Sequence, residues 1–213
     1  RARGEPISSG GKASGPMSFF KLYDFNGGII ESGGKTRRAA RMTTMRYWHP
    51  DVEEFINVKW KEDHKALLLM KNGFSDGFEG EAYKTVAFQN TNLSVRLDDH
   101  FFEQLEKNGN IKLRYVKTGE VAKEVPANKI LEMISFGSWR IGDPAVQYES
   151  KIQEMNTCKN SGMIDSSNPC SEYMFLNDTS CNLNSLNLLK FSDENGNFDV
   201  DSFKKAVKIM TIS

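Results

Sequence analysis

One short segment of the sequence brings together residue types that can carry chemistry: Asn168, Pro169, Cys170, Ser171 and Glu172. The thiol is flanked, two residues away on either side, by an amide and a carboxylate. Residues two apart in an extended loop point the same way, so the amide, thiol and carboxylate are expected to face one small ligand. The carboxylate can serve as a general base, the amide can hold an oxygen, and the sulfur can perform nucleophilic or one-electron chemistry.

A second thiol, Cys181, follows Cys170 after eleven residues and is close enough in sequence to enter the same pocket. From spacing alone, these cysteines are equally well interpreted as small buried hydrophobic residues. A zinc site is disfavoured because no pair of cysteines has the CxxC spacing. A cysteine-protease site needs a histidine, and His49, His64 and His100 all lie far away in the sequence.

The composition excludes several classes of protein. The 213 residues include 28 Lys and Arg and 28 Asp and Glu, and no apolar run approaches the roughly 18 to 20 residues that span a bilayer. The 14 Phe and 3 Trp argue against a disordered chain. Three cysteines, an odd number, disfavour a disulfide scaffold and favour a reduced, cytoplasmic protein.

A basic segment stands out on this neutral chain. Residues 1–46 hold nine Lys and Arg against three acidic residues, which suggests a specific anion site rather than general nucleic-acid binding. A glycine pair there allows close approach of the backbone, and the neighbouring cations offer charge-assisted bonds to phosphate. The candidate anion-binding residues are Gly33, Gly34, Lys35, Thr36, Arg37, Arg38 and Arg41. A solvated basic turn is the alternative interpretation.

Hydrophobic periodicity predicts strands that alternate with helices, and therefore an α/β fold. The predicted helices are 17–30, one starting at 49–51, 98–107, 126–139, 143–155 and 200–213. The predicted strands are 42–47, 92–97, 111–116 and 183–188. Residues 67–70 are too few to assign by periodicity, and 156–179 are expected to form a loop.

Two segments resemble the active-site finger loop of ribonucleotide reductases: 167–176, SNPCSEYMFL, and 181–188, CNLNSLNL. The close pairing of the two cysteines is similar to that of the adenosylcobalamin-dependent class II enzymes, because the diiron class separates them further. Further similar motifs follow in the family's order: Gly15-Pro16-Met17-Ser18-Phe19, Gly33-Gly34-Lys35-Thr36-Arg37-Arg38-Ala39-Ala40, His49-Pro50-Asp51 and Gly142-Asp143-Pro144.

The resemblance covers essentially the whole chain and implies part of a ten-stranded α/β barrel whose central finger loop carries the catalytic cysteine. On that basis Cys170 becomes a thiyl radical that takes hydrogen from C3′ of a ribonucleotide. Glu172 accepts the 3′-hydroxyl proton, Asn168 holds the ribose hydroxyls, and the segment from Asn168 to Glu172 binds substrate. Cys181 is one of two reducing thiols, while Cys158 is not a catalytic position in the family.

The resemblance also implies ligands and partners. The basic loop resembles the family's specificity loop, which lies between a deoxynucleoside triphosphate effector and the substrate base, and residues 10–15 resemble its companion loop. The implied cofactor is adenosylcobalamin, the substrate a ribonucleoside di- or triphosphate, and the reductant thioredoxin-like. A homodimer is expected, with helix 19–30 near its interface, although core packing explains the aromatic residues of this helix equally well. No metal, nucleic-acid or membrane partner is expected.

Residues 1–213 are expected to be a central fragment of the catalytic barrel, truncated at both ends and inactive alone. The first residue is not Met, and the last predicted helix has no Gly or Asn cap. Two alternatives remain open at this point. One is the same catalytic core from a diiron class I reductase, and the other is a non-catalytic nucleotide-binding module with inert cysteines.

Overall fold

A computed structural model describes residues 1–32, 37–77 and 80–212. The chain divides into two compact units, Arg1–Asn177 and Asp178–Ser213. Within the described ranges, no helix combines the length and the apolar character needed to cross a membrane.

Helices and strands alternate along the first unit, which confirms the predicted α/β class. Its helices are α1 (Pro16–Ile29), α2 (Val52–Lys71), α3 (Glu81–Lys84), α4 (Asp99–Glu106), α5 (Ala127–Ile141) and α6 (Glu149–Glu154). Its strands are β1 (Glu31–Ser32), β2 (Arg37–Arg38), β3 (Arg41–Arg46), β4 (Thr91–Leu97), β5 (Asn110–Arg114), β6 (Val121–Pro126) and β7 (Ala145–Tyr148). The second unit contains a 3₁₀ turn (Leu188–Phe191) and α7 (Val200–Ile212).

The centre of the first unit is a parallel sheet with strand order β3-β4-β7. In this register Arg46 of β3 stands beside Arg96 of β4, and Arg96 stands beside Gln147 of β7. Two antiparallel pairs, β1-β2 and β5-β6, lie outside it. Among the described residues the sheet is open, so the expected ten-stranded barrel is not seen, because closure needs more strands than the three that pair here.

The two faces of the parallel sheet differ in polarity. One face of β4 presents Leu93, Val95 and Leu97, which are buried in the same hydrophobic core as residues of α2 and α5. Alternate residues point to the opposite face. That polar face carries Thr44, Arg46, Ser94, Arg96 and Gln147. Residues 164–171 cover the polar face in place of a helix, and side-chain hydrogen bonds from the strands attach them to it.

The helix α5 packs closely against the residues just before β7 and so fixes where that strand begins. Its buried residues Ile130 and Ile134 face the core, and Gly137 meets the chain just before β7. A Cβ atom added to Gly137 would lie 2.7 Å from the carbonyl oxygen of Asp143 and 3.1 Å from Cδ of Pro144. The glycine therefore permits the approach that aligns β7 with the sheet edge.

Several sequence predictions are confirmed, since α1, α4, α5, β3, β4 and β5 match their predicted positions within a few residues. Residues 67–70 form the last turn of α2. The predicted helix 143–155 is wrong in its first half: Ala145–Tyr148 is a strand, because β4 offers it a free edge, and the helix covers only Glu149–Glu154. The predicted strand 183–188 is also wrong, since these residues have no strand assignment and nearly all are exposed.

Candidate active site

Cys170 lies in a tight hairpin rather than in an extended loop. Ser167 pairs with Met174 in an antiparallel bridge, and the backbone N–H of Ser171 donates to the carbonyl of Asn168 at 3.0 Å. Residues 168–171 therefore form a β-turn with proline at its second position, where its fixed φ is favourable. We call residues 167–174 the cysteine turn. The predicted same-side alternation does not apply to it, because the segment is not extended.

Asn168 and Glu172 are nevertheless joined within the cysteine turn. The side-chain amide of Asn168 donates to the carboxylate of Glu172, and this bond, together with the residue's own backbone N–H, lowers the pKa of Glu172 below its ordinary value. Asn168 Oδ1 accepts from the backbone N–H of Tyr173 at 2.9 Å, which leaves its NH₂ group for the carboxylate. The carboxylate is thus held in the ionised form that a general base requires.

The thiols differ in exposure. Cys170 is exposed at the cysteine turn, and Cys181 is exposed in the second unit, whereas Cys158 is partly buried. The interpretation of Cys170 and Cys181 as small buried residues is therefore wrong. In the described part of the chain, no group of three or more His, Cys, Asp or Glu side chains is arranged to hold a metal ion.

The cysteine turn is attached to the polar face of the sheet through Gln147. The Nε2 atom of Gln147 donates to Ser167 Oγ at 2.8 Å and to Ser171 Oγ at 3.2 Å. Its Oε1 atom accepts from Arg96 at 3.2 Å. Sequence reasoning missed both Arg96 and Gln147. A signal was present in β4, where Asn92, Ser94 and Arg96 alternate with apolar residues and indicate a second, non-apolar face of the sheet.

Charged side chains on the same face of the sheet as Gln147 also bind the segment that leads into the cysteine turn. Arg96 is only 1% exposed, and its guanidinium donates to the Glu149 carboxylate and, at 2.8 Å, to the carbonyl of Ile164. Arg46 lies 3.0 Å from a carboxylate oxygen of Asp165 and 3.3 Å from one of Glu149. Two cations thus face two anions, which is what a buried guanidinium requires to offset its lost hydration.

The predicted anion-binding loop is described only in part. Gly33, Gly34, Lys35 and Thr36 lie outside the described residues. Arg37 and Arg38 form β2, whose backbone pairs with β1. Arg41 opens β3 and donates to Asn26 of α1, and its buried Nε has no partner among the residues that the structure describes.

Comparison with known proteins identifies the family. The model of the ribonucleotide reductase barrel domain matches residues 1–213. A protein of Rhodopirellula baltica named vitamin B12-dependent ribonucleotide reductase is 48% identical over 216 residues, which cover 100% of this chain and 21% of the relative. A Streptomyces avermitilis protein of the same name is 44% identical, covering 99% of this chain and 22% of the relative.

A more distant relative carries a more specific name. The vitamin B12-dependent ribonucleoside-diphosphate reductase of Thermoplasma acidophilum is 34% identical, covering 94% of this chain and 23% of that protein. The chain spans about a fifth of the length of these curated relatives. The match of the family model to the whole chain, together with these identities, shows that the chain belongs to the ribonucleotide reductase barrel-domain family.

Proposed function

We propose that the chain is a central part of the catalytic barrel of an adenosylcobalamin-dependent ribonucleotide reductase, an enzyme that reduces ribonucleotides to deoxyribonucleotides for DNA synthesis. The observation that carries the proposal is the exposed Cys170 in a turn where Asn168 holds the carboxylate of Glu172 ionised. The names of the relatives support vitamin B12 dependence, and the Thermoplasma acidophilum name supports a ribonucleoside diphosphate as substrate.

Residues 168–172 of the cysteine turn then divide the chemistry among them. The Cys170 sulfur, as a thiyl radical, takes the hydrogen atom from C3′ of the ribose, and Glu172 accepts the proton of the 3′-hydroxyl. Asn168 holds the ribose hydroxyls, and Pro169 and Ser171 complete the substrate-binding surface. The 2′-hydroxyl leaves as water, and a thiol pair with Cys181 as one member supplies two electrons and two protons as it is oxidised to a disulfide. Cys170 then returns its hydrogen atom to C3′, which restores the thiyl radical.

An exposed sulfur fits the implied cofactor, because a radical source bound beside the cysteine turn could reach its S–H directly. When bound, adenosylcobalamin supplies the one-electron oxidation of the Cys170 thiol. A thioredoxin-like protein would then reduce the disulfide after each turnover. These reactions belong to the reducing, cytoplasmic environment that the cysteine usage favours.

The sheet supports a place in the ten-stranded barrel. Its apolar face is covered by helices, while its polar face carries the cysteine turn. A barrel strand requires the same division between an outer, helix-covered face and an inner face that presents side chains to the centre. We propose that the cysteine turn is the tip of the finger loop.

Effector and dimer contacts complete the proposal. The basic loop would bind a deoxynucleoside triphosphate effector through Gly33, Gly34, Lys35, Thr36, Arg37, Arg38 and Arg41. The helix α1 supports a homodimer interface, because Phe19, Leu22, Tyr23 and Ile29 expose apolar side chains on it. A set of exposed apolar residues of this kind is typical of interaction surfaces.

The proposal is tested in the full-length protein with adenosylcobalamin and a ribonucleoside diphosphate. We expect Cys170→Ser to abolish deoxyribonucleotide formation and Cys158→Ser, the matched control, to leave it unchanged. Turnover of Cys170→Ser near the wild-type rate would refute the radical role. Cys181→Ser is expected to block multiple turnover, and sustained turnover would refute its role as reductant. Formation of cob(II)alamin, detected by EPR, distinguishes this class from a diiron reductase.

A further inference from the structure

The side-chain amide of Gln147 has a single allowed orientation. Gln147 is 2% exposed, and one end of its amide faces the guanidinium of Arg96. A guanidinium has only donors, so the group facing it must be the amide oxygen. The NH₂ group therefore points the other way, at the hydroxyls of Ser167 and Ser171.

These two serines lie on either side of Cys170. Ser167 Oγ also donates to the carbonyl of Asn168 at 2.8 Å, which is the same carbonyl that closes the β-turn. Ser171 has a φ of 62°, in the left-handed region that side-chain-bearing residues rarely adopt. The amide of Gln147 thus holds both ends of the turn, including the residue whose backbone conformation most needs support.

Packing alone does not fix the cysteine turn. A pocket of about 340 Å³ lies beside it and is lined by apolar side chains that include Ile152 of α6, Met155 just after that helix, and Met174 of the turn. Ser171 and Gln147 line the same pocket. The described residues leave space on this side of the turn, whereas on the sheet side hydrogen bonds from Gln147 attach it.

We propose that Gln147, oriented by Arg96, is a positioning residue that clamps Ser167 and Ser171 and thereby fixes the direction of Cys170. Gln147 transmits the geometry of the parallel sheet to the reacting sulfur without itself contacting substrate. This inference rests on the proposed function only where it concerns turnover, because the clamp itself is a property of the resting protein.

The experiment compares Gln147→Met, Ser167→Ala and the double variant in the full-length protein. Methionine keeps the volume of glutamine and removes both donors, and Ser167→Ala is the milder variant, which keeps the contact of Gln147 with Arg96. We expect each single variant to lower kcat about tenfold with little change in KM. The double variant should lose no more than the worse single variant, because both changes break one clamp.

Hydrogen exchange of the resting protein supplies a second readout. The backbone N–H groups of Ser171 and Tyr173 donate within the turn, so peptides covering 167–176 should exchange about tenfold faster in Gln147→Met, whereas peptides from β4 should not. Gln89→Met is the control, because the Gln89 amide donates to the carbonyl of Ala87 instead.

Two results would overturn the clamp. One is a Gln147→Met protein of lower Tm whose kcat and turn exchange equal those of the wild type. The other is a double variant whose loss of kcat is the product of the two single losses, which would show that the residues act independently. Failure of the proposed function is separate: it would appear as an active Cys170→Ser variant, and the exchange result would still report on the clamp.

Discussion

Arg96 and Gln147 stand side by side on neighbouring parallel strands, and the guanidinium of Arg96 donates to the side-chain oxygen of Gln147 at 3.2 Å. Through this contact the buried charges on the polar face of the sheet are connected to the turn that carries Cys170. A parallel sheet normally has both faces covered. Here the second cover includes the cysteine turn, so the elements that stabilise the sheet also hold the proposed site.

The Asn168–Glu172 pair predicts how the pH dependence of turnover will change. Because the pKa of Glu172 is lowered, the base function is present above that lowered pKa and is lost as the pH falls through it. Asn168→Ala removes the largest cause of the shift, so the acidic limb of kcat/KM should move to higher pH. Glu172→Gln should lower kcat by about 10² to 10⁴.

The pH profiles of kcat/KM for the full-length enzyme check this. Asn160→Ala, an exposed asparagine outside the cysteine turn, is the control and should leave the acidic limb in place. An acidic limb that does not move in Asn168→Ala would show that the pair does not control the base.

The buried ion pair of Arg96 and Glu149 predicts a large effect on stability. Removing one partner of a buried pair leaves an uncompensated charge and typically costs about 3 to 5 kcal/mol. Arg46 also contacts Glu149, so Arg96→Met should lower the free energy of unfolding by about 3 kcal/mol, at the low end of this range. Denaturant unfolding of the full-length protein measures this change.

The control for this variant is Lys151→Met, which removes an ion pair with Glu154 at the surface. Surface pairs contribute little because water and salt screen them, so no measurable change in stability is expected. Equal stability of Arg96→Met and the wild type would mean that the charge network does not hold the sheet.

The apolar face of α1 predicts the effect of a charge on self-association. If this face is buried between two copies, Leu22→Glu places a carboxylate in each half of the interface and should raise the dimer dissociation constant by about 100-fold or more. Analytical ultracentrifugation of the full-length protein measures it. Ser135→Glu adds the same charge at an exposed position of α5, away from α1, and should remain dimeric. A Leu22→Glu protein that dimerises normally would exclude α1 from the interface.

The tight contact of Gly137 predicts that replacing this helical glycine by alanine will lower the stability of the protein rather than raise it. Alanine in a helix is normally favoured over glycine by about 1 kcal/mol. Here its Cβ would collide with the Asp143 carbonyl, so Gly137→Ala should destabilise the protein by about 1 to 3 kcal/mol. Ser135→Ala, at an exposed position of α5, should stay within about 0.5 kcal/mol of the wild type. Thermal unfolding compares them, and a stabilised Gly137→Ala would contradict the packing.

The sequence predicted those helices and strands whose hydrophobic pattern lies within one short segment of the chain. The alternation in 111–116 predicted β5, and the residue types around Cys170 pointed to the candidate site. The strand β7 was missed because Ala145–Tyr148 is short and follows a proline, and its extended form depends on pairing with β4. The extended loop predicted around Cys170 is a turn because Ser167 pairs with Met174.

The contacts that hold the cysteine turn on the sheet could not be predicted from local sequence patterns. Arg96 and Gln147 are separated by about fifty residues, and only the β4–β7 register makes them neighbours. A single arginine or glutamine in a polar sequence carries no local signal of burial. The contact depends on tertiary structure, and periodicity could reveal only that the sheet has a polar face.

The most direct test of the central claim is the fate of the C3′ hydrogen of the substrate. With 3′-deuterated ribonucleoside diphosphate, the full-length enzyme should show a primary isotope effect on kcat/KM, because the Cys170 sulfur takes that hydrogen atom. Cys170→Ser should neither cleave the C3′ bond nor exchange its label. Cleavage of that bond by Cys170→Ser at a rate near that of the wild type would contradict the assignment of Cys170 as the radical-bearing residue.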